Sequence, residues 1–392
     1  ERLSEFSELL GRHYRHGEAW AKAARYYLAA TQTAKAHYAY QSALGLCRRA
    51  LDSAEKGEAL QAERGDIGVL LGDLHSLLGE EEPANARYEE ALALTSDADR
   101  RRFIGNKLHR RGITHRDGAR LAYYEHGTGK QTLFFVRPMT HGIQHFQPVV
   151  EQLCQEFRII TADPRGSGDS APITRPYYLS QHMEDVKAVI EATGTAPVTV
   201  LGISRAGTLV ALLAATYPEL LEKMVLVAPA LSLPDYEGYL SLLKRSPELL
   251  RAVEAQDLEL AIQLFVPTVI SEPGTEELRR QGMAWFRGLP EETIYSFFLD
   301  RAEDEIVGTR LGEIRVPTLV MHGTEDRRIP FEYSRVIAER IPGGLLYPFE
   351  GRCHVLAVTA TGEFCQVLRH FMRTGEVAAP PGAGGGSAGP GR

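Results

Sequence analysis

The chain has 392 residues, 44% of them hydrophobic, and its 44 basic and 51 acidic side chains give a formal net charge of −7. This length exceeds one average domain, and the apolar fraction is sufficient for a substantial core. The mild acidity argues against a nucleic-acid or anionic-membrane surface, and no apolar run of about 18 residues is present to span a bilayer. Four cysteines without Cys-x-x-Cys spacing, and no signal peptide, indicate reduced thiols and a cytoplasmic location.

Residues 1–100 have the composition and apolar spacing of amphipathic helices. Two stretches share a template of glycine followed by alanine, tyrosine and alanine at offsets of 12, 16 and 19 residues, namely Gly11 with Ala23, Tyr27 and Ala30, and Gly72 with Ala84, Tyr88 and Ala91. Small residues at these positions let two antiparallel helices approach closely, and the tyrosine fills the space between them. The pattern resembles the tetratricopeptide repeat, which implies a surface for a protein partner. Ordinary helical hairpins are the alternative.

A second resemblance concerns what surrounds these helices. The run from Leu10 to Tyr27 resembles the helical-repeat tail of bacterial ATPase–cyclase and ATPase–regulator proteins. Because the chain begins at Glu1 and has no phosphate-binding Gly-x-x-x-x-Gly-Lys-Ser/Thr motif, that resemblance implies an ATPase or cyclase module upstream, and we expect a longer parent protein. Residues 34–54 resemble a degenerate middle repeat. Since about three repeats are needed to bury their apolar faces, two and a half imply further repeats upstream or packing against the rest of the chain.

The composition changes after residue 100. Residues 101–111 are rich in charge and are predicted to be a solvated linker. The alternative is that the stretch from Ser96 to Arg111 forms the last helix of the repeat array. From residue 112 onward, apolar strand-like runs such as 132–136 and 157–162 alternate with turns. The segment Asp163-Pro-Arg-Gly-Ser-Gly-Asp-Ser170 is expected to form a structural turn, because its glycines permit a reversal that other residues would strain.

Ser204 follows the β-branched run that begins at Val198 and precedes an Ala/Leu-rich helix. This strand–turn–helix context, with small residues at Gly202, Ala206 and Gly207, is typical of a nucleophile elbow. The serine would lie at the carboxyl end of the strand, over the amino end of the helix, where amide groups and the helix dipole stabilise an oxyanion. A buried turn that merely contains serine is the alternative.

Candidate partners for this serine follow it in the chain. The run from Val316 to Gly323 predicts a strand, and the turn after it carries Asp326 with Glu325 beside it as a rival acid. A last short strand from residue 344 leads to a loop with His354. A neutral imidazole can accept the serine proton, and a carboxylate fixes its tautomer. Cys353 is a weaker candidate nucleophile, since it has no elbow.

These motifs resemble the α/β-hydrolase superfamily over residues 112–374. The resemblance implies an α/β fold with a mostly parallel, doubly wound sheet and a helical cap, which we place at about residues 230–305. It also implies a triad of Ser204, Asp326 and His354, with the backbone amides of Met139 and Arg205 as the oxyanion hole. Where the family usually has His-Gly before the first hole residue, this chain has Arg137-Pro138. Arg137 is therefore a possible substrate-binding residue for a carboxylate.

The aromatic residues of the predicted cap are expected to form mostly cap core, with some lining a pocket: Trp285, Phe286, Tyr295, Phe297 and Phe298. Residues 377–392 are rich in Pro, Gly and Ala and are predicted to be a disordered tail.

The sequence thus predicts a serine hydrolase acting on a small-molecule ester, lactone or related acyl compound, without metal or organic cofactor. The alternative from another class is a non-catalytic ligand-sensing or scaffold module of a bacterial signalling protein. Acyl transfer, hydration or haloperoxidase-like chemistry is a third possibility within the same fold.

Overall fold

A computed structural model describes residues 6–57, 61–140, 145–233 and 246–377. The predicted tail from residue 378 onward lies outside the described residues, as does the stretch 234–245 of the predicted cap. The amino-terminal part is helical, as predicted. Its helices within the described residues are α1 (Ser7–His16), α2 (Trp20–Ala36), α3 (Tyr40–Lys56), α4 (Gln61–Leu77), α5 (Glu81–Ala93) and α6 (Ala98–Gly105); we call residues 6–105 the helical layer.

Two glycine–tyrosine contacts hold the hairpins of the helical layer together. A Cβ added to Gly11 would lie 2.8 Å from the ring of Tyr27, and one added to Gly72 would lie still closer to the ring of Tyr88. Both rings are almost fully buried. The close helix approach that the sequence template predicts is therefore present in α1–α2 and α4–α5. Membership of the tetratricopeptide family stays a prediction.

The remainder of the chain is built on an eight-stranded sheet within the described residues. Its strands are β1 (Arg110–Arg116), β2 (Ala119–His126), β3 (Thr132–Val136), β4 (Arg158–Ala162), β5 (Val198–Ile203), β6 (Leu221–Val227), β7 (Thr318–Gly323) and β8 (Leu345–Phe349). The order is β1-β2-β4-β3-β5-β6-β7-β8. β2 is antiparallel to both of its neighbours, β1 and β4, and every pairing from β4 to β8 is parallel. The predicted α/β class with a mostly parallel sheet is confirmed.

Helices cover both faces of the sheet. They are α7 (Gln147–Leu153), α8 (Leu179–Thr193), α9 (Arg205–Thr216), α15 (Phe331–Arg340), α16 (Leu356–Thr359) and α17 (Thr361–Thr374). Leu133 and Phe135 of β3 belong to the apolar cluster of α7 and α17, whereas Phe134 and Val136 belong to that of α8, α9 and α15. A strand buried on both faces needs an unbroken apolar run, which explains why the central strands are recognisable in the sequence.

Between β6 and β7 the chain forms a helical cap over the carboxyl edge of the sheet. Its described helices are α10 (Pro247–Glu254), α11 (Leu258–Val269), α12 (Glu276–Arg287), α13 (Glu291–Leu299) and α14 (Asp304–Thr309). Phe286, Phe297 and Phe298 pack with Phe265 in one apolar cluster, with ring centroids 5.0–6.3 Å apart. Tyr295 instead lies against Arg175.

Of the two alternatives for residues 101–111, a last helix fits the start of the segment better than a solvated linker. These residues contain the end of α6 and the start of β1, and Ile104, Asn106, Lys107 and His109 are buried. Nζ of Lys107 donates to Oδ1 of Asp73 (2.8 Å), 34 residues earlier in α4. The charge of Lys107 indicated exposure to solvent because the sequence does not show that Asp73 of α4 lies beside it.

The helical layer therefore packs directly against the sheet domain. Tyr88 donates a second hydrogen bond to Asp73 (2.8 Å), and Ser76 lies 2.7 Å from Nε2 of His109. Lys35 of α2 pairs with Glu151 of α7 at 3.6 Å. Packing against the rest of the chain was one of the two expectations for an incomplete repeat array, and this is the one that the structure shows.

Candidate active site

Ser204 occupies a sharp turn between β5 and α9. Its backbone has φ 56° and ψ −124°, a conformation that is uncommon for a residue with a side chain and costs free energy. The turn is held from both sides, since the amide of Ser204 donates to the carbonyl of Val227 (2.8 Å) and the amide of Ala230 donates to the carbonyl of Ser204 (3.0 Å). The strained serine thus sits at the carboxyl edge of the central strands.

The neighbours of Ser204 are small for a steric reason. A Cβ at Gly202 would collide with the backbone carbonyl of Ala206, and a Cβ at Gly207 would lie 3.1 Å from Pro229. The first obstacle is backbone, which cannot move away without opening the turn. The sequence pattern around Ser204 is therefore a requirement of this conformation.

Asp326 and His354 come together beyond β7 and β8. Nδ1 of His354 lies 2.7 Å from Oδ2 of Asp326, and both side chains are almost completely buried. Oδ1 of Asp326 accepts the amides of Arg328 (2.7 Å) and Ile329 (2.9 Å), so the carboxylate is fixed at both oxygens. Glu325, the rival acid in the sequence, is exposed.

The environment keeps Asp326 ionised. Burial alone raises the pKa of a carboxyl group, but the charges and hydrogen bonds of His354 and His322 hold the pKa of Asp326 well below its ordinary value. A carboxylate that accepts from Nδ1 of His354 fixes the imidazole tautomer and leaves Nε2 as the proton acceptor.

His322, in β7, is a site residue that the sequence analysis missed. Its Nε2 lies 2.9 Å from Oδ2 of Asp326 and 3.0 Å from the carbonyl of Ile329, while its Nδ1 lies 2.5 Å from Oγ of Ser334. Because the partners of Nε2 are acceptors, the network assigns the proton to Nε2 and leaves Nδ1 to accept from the serine. A histidine directly after the apolar residues of the strand is the sequence signal that marks it.

Ser204 and His354 line one apolar cavity of about 40 Å³. Its walls are mainly aromatic and aliphatic side chains from the cap and from the segment before α7, including Phe146, Phe265, Val269, Ile270, Leu278 and Phe297. Among the predicted cap aromatics, Phe297 contacts this cavity. The nucleophile candidate and the base candidate therefore share a mainly apolar environment.

Met139 and Arg205 meet in a smaller cavity of about 10 Å³ that shares Pro138 and Phe297 with the first. Arg205 is the first residue of α9, where backbone amides have no partner within the helix. The side chain of Arg205 reaches the cap, where its guanidinium donates to the carbonyl of Asp300 (2.6 Å). The two residues predicted to form an oxyanion hole are thus neighbours beside Ser204.

Arg137 does not line the Ser204 cavity. Its guanidinium is buried, donates to the carbonyl of Ala162 (3.0 Å) and pairs with Asp163. Burial lowers the pKa of Arg137 to about 10. The turn that carries Asp163 thus provides the counter-ion of Arg137. Arg137 also lines the smaller cavity of Met139 and Arg205, and its role as a substrate-binding residue stays a prediction.

A second missed residue is Glu272, between α11 and α12. Its Oε1 accepts the amide of Cys353 (2.9 Å) and the hydroxyl of Thr359 (2.8 Å), which fastens the cap to the loop that carries His354. Cys353 is buried, and burial raises the pKa of its thiol, which disfavours the thiolate. No group of three or more His, Cys, Asp or Glu side chains in the described part of the chain is arranged to hold a metal ion.

Comparison with known proteins identifies the family. The family model described as alpha/beta hydrolase fold matches residues 137–361, more than half of the chain. This chain belongs to the alpha/beta hydrolase family. Relatives of the chain are esterases, carbamate hydrolases and serine hydrolases, and it is a hydrolase of this family.

Individual relatives agree with this assignment. A putative carbamate hydrolase RutD of Caulobacter sp. (strain K31) is 27% identical over 269 residues, covering 65% of this chain and 97% of the relative. The human serine hydrolase BPHL is 24% identical over 267 residues, covering 66% and 84%. The solved esterase of Exiguobacterium antarcticum has a TM-score of 0.61 at 24% identity, covering 67% of this chain and 98% of its own, and supports the fold.

Each of these matches leaves about a third of this hydrolase uncovered. Among the described residues, no helix is long and apolar enough to cross a membrane.

Proposed function

We propose that this hydrolase cleaves an ester, lactone or related acyl compound, carbamates included, through Ser204 as nucleophile. The observation that carries the proposal is the shared cavity of Ser204 and His354, with Nδ1 of His354 bound to the buried Asp326. This arrangement leaves Nε2 of His354 as the group able to accept a proton from the serine.

In the first half of the reaction, Oγ of Ser204 attacks the carbonyl carbon and its proton passes to Nε2 of His354. Asp326 stabilises the imidazolium that forms. The tetrahedral intermediate then expels the alcohol, which takes the proton from His354, and an acyl-serine remains. A water molecule attacks this ester with His354 again as base, which releases the carboxylic acid and regenerates Ser204.

The negative charge of each tetrahedral intermediate needs hydrogen-bond donors already in position. The amide of Arg205 at the start of α9 and the amide of Met139 after β3 are the proposed donors. Losing one donor of this kind typically costs about 10²–10³ in kcat. The hydrogen bond from the Arg205 side chain to the carbonyl of Asp300 would hold Arg205 in place, and with it the backbone amide that donates to the oxyanion.

The cavity walls favour an uncharged acyl or alkyl group. They are predominantly apolar, and Arg137 is engaged with Asp163 rather than directed at this cavity. Each buried methylene contributes about 0.8 kcal/mol, or roughly fourfold in kcat/KM. We therefore expect uncharged esters to be preferred over ω-carboxylates, with activity rising over the first few carbons.

Steady-state hydrolysis of methyl butyrate tests this proposal. Ser204→Ala and His354→Ala are each expected to lower kcat on the order of 10⁶-fold, because members of such a triad act as a unit. Ser53→Ala, which removes a hydroxyl bonded within α3, is the matched control and should keep activity. A folded wild type without activity on any ester or lactone would contradict the proposal and favour a binding module. A Ser204→Ala protein that retains activity would instead show that another group is the nucleophile.

A further inference from the structure

A larger cleft lies between the helical layer and the cap. It has a volume of about 620 Å³ and is open at one side. The helical layer contributes Tyr40, Ser42 and Leu78 to its wall, and the α12 side contributes Leu278, Gln281 and Trp285. We call this the junction cleft.

The junction cleft adjoins the Ser204 cavity. His145, Leu278 and Val358 line both, so the two spaces adjoin along these three side chains. The Ser204 cavity, at about 40 Å³, accommodates only a small group. Any substrate with a longer arm on one side of its carbonyl needs space beyond that cavity, and the adjoining cleft provides it.

The helical wall of the cleft is held firmly in place. The amide of Gln281 in α12 donates to the carbonyl of Tyr38, and the ring of Tyr38 packs against the apolar cluster of the cap. On the other side of the helical layer, Lys107 and Asp73 form a buried ion pair at 2.8 Å. Breaking a buried pair of this kind typically costs several kcal/mol, so the helices are a permanent part of the cleft.

The cleft wall combines apolar surface with polar groups. Leu78, Leu278 and the ring of Tyr40 supply apolar area, while Glu277 and Arg280 form an ion pair with each other on α12.

We propose that the junction cleft binds the longer arm of the substrate, so that the helical layer forms part of the substrate site. The substrate class is an uncharged ester or related acyl compound with one short apolar side and one long side. This inference rests on the proposed hydrolase function of Ser204.

Filling the cleft from its helical wall tests the inference. Ser42 is exposed near the start of α3, so Ser42→Trp narrows the cleft without disturbing the core. Arg48→Trp, at an exposed position of the same helix outside the cleft, is the matched control. The substrates are methyl butyrate, octyl butyrate and methyl decanoate, which lengthen the alcohol and acyl sides separately.

We expect wild type to prefer one of the two long esters over methyl butyrate, and Ser42→Trp to lower that ratio of kcat/KM values at least tenfold. Arg48→Trp should leave the ratio unchanged. An unchanged ratio in Ser42→Trp, with circular dichroism showing a folded protein, would overturn the inference while leaving the hydrolase function intact. Absence of hydrolysis of all three esters by wild type, together with no fluorophosphonate adduct on Ser204, would instead overturn the proposed function and this inference with it.

Discussion

The helical layer and the sheet domain both use glycine to admit close contact, but the groups admitted differ. In the helical layer, Gly72 makes room for the ring of Tyr88, a side chain that can shift at some cost to packing. In the sheet domain, Gly202 makes room for the backbone of Ala206, which sets the conformation of Ser204. Glycine therefore serves stability in one region and the geometry of the candidate nucleophile in the other, and substitutions should separate the two.

After Ser204 and His354, the largest effect is expected at Asp326. Asp326→Asn should lower kcat on the order of 10⁴-fold, because the amide supplies no charge to stabilise the imidazolium and disturbs the tautomer of His354. The measurement is steady-state ester hydrolysis, with Glu325→Gln as the adjacent control. A strong loss of kcat in Glu325→Gln and a mild one in Asp326→Asn would show that Glu325, rather than Asp326, is the acid of the triad.

Substitution of Gly202 and of Gly72 should give the next largest effects. The first should lower activity and the second should lower stability. Gly202→Ala is expected to lower kcat about 100-fold, since displacing a reacting group by about 1 Å has that consequence. Gly72→Ala is expected to lower the free energy of unfolding of the helical layer by about 1–3 kcal/mol through overpacking against Tyr88. Urea unfolding and ester hydrolysis, measured on both variants, separate the two losses.

Gly45 in α3 is the control for this pair, because nothing lies within 4 Å of a Cβ added there. Gly45→Ala should raise helix stability by up to about 1 kcal/mol. If Gly72→Ala behaves like Gly45→Ala, the glycine–tyrosine contact does not hold the helical layer together.

The smallest effect concerns Glu81, at the start of α5 beside the sheet domain. Burial raises the pKa of Glu81 to about 7, against the opposing charges of Arg137 and Arg111 and with Asp169 and Tyr124 also facing it. Between about pH 4.5 and 7 the folded state retains a proton that the unfolded state has released. Stability contributed by this group is therefore present at low pH and lost as pH rises through that window.

Glu81→Gln should remove this loss of stability with rising pH, because glutamine does not titrate. The melting temperature of the variant relative to wild type is expected to rise by about 2 °C between pH 5 and pH 8. Glu82→Gln, an exposed neighbour, is the control. A pH-independent difference between Glu81→Gln and wild type would show that Glu81 does not titrate in this range.

The sequence predicts the sheet domain well because its elements carry local signals. Strands buried on both faces appear as apolar runs, and the turn at Ser204 requires small neighbours that are visible beside it. Glu272 was missed because its partner Cys353 lies 81 residues away. His322 was missed because its spacing of four residues to Asp326 does not show that the turn brings the two side chains together. The ion pair of Arg137 with Asp163 could not be predicted from local sequence, because it forms only when β3 and β4 lie side by side.

The docking of the helical layer was the hardest feature to predict. Asp73, Lys107 and Glu151 appear in the sequence as ordinary surface charges, and the pairing of α4 with the segment before β1 is what buries them. A charged stretch indicates solvent only when no distant partner is available. The junction cleft exists because of this docking, and neither region alone predicts it.

Labelling by a fluorophosphonate tests the central claim most directly. Such a probe phosphonylates a serine only when a base and an oxyanion hole activate it. Intact-protein mass spectrometry with peptide mapping should show one adduct per chain, on Ser204, that is absent from a folded Ser204→Ala protein. A folded wild type that remains unlabelled by probes of several sizes, or an adduct on another residue, would contradict the account.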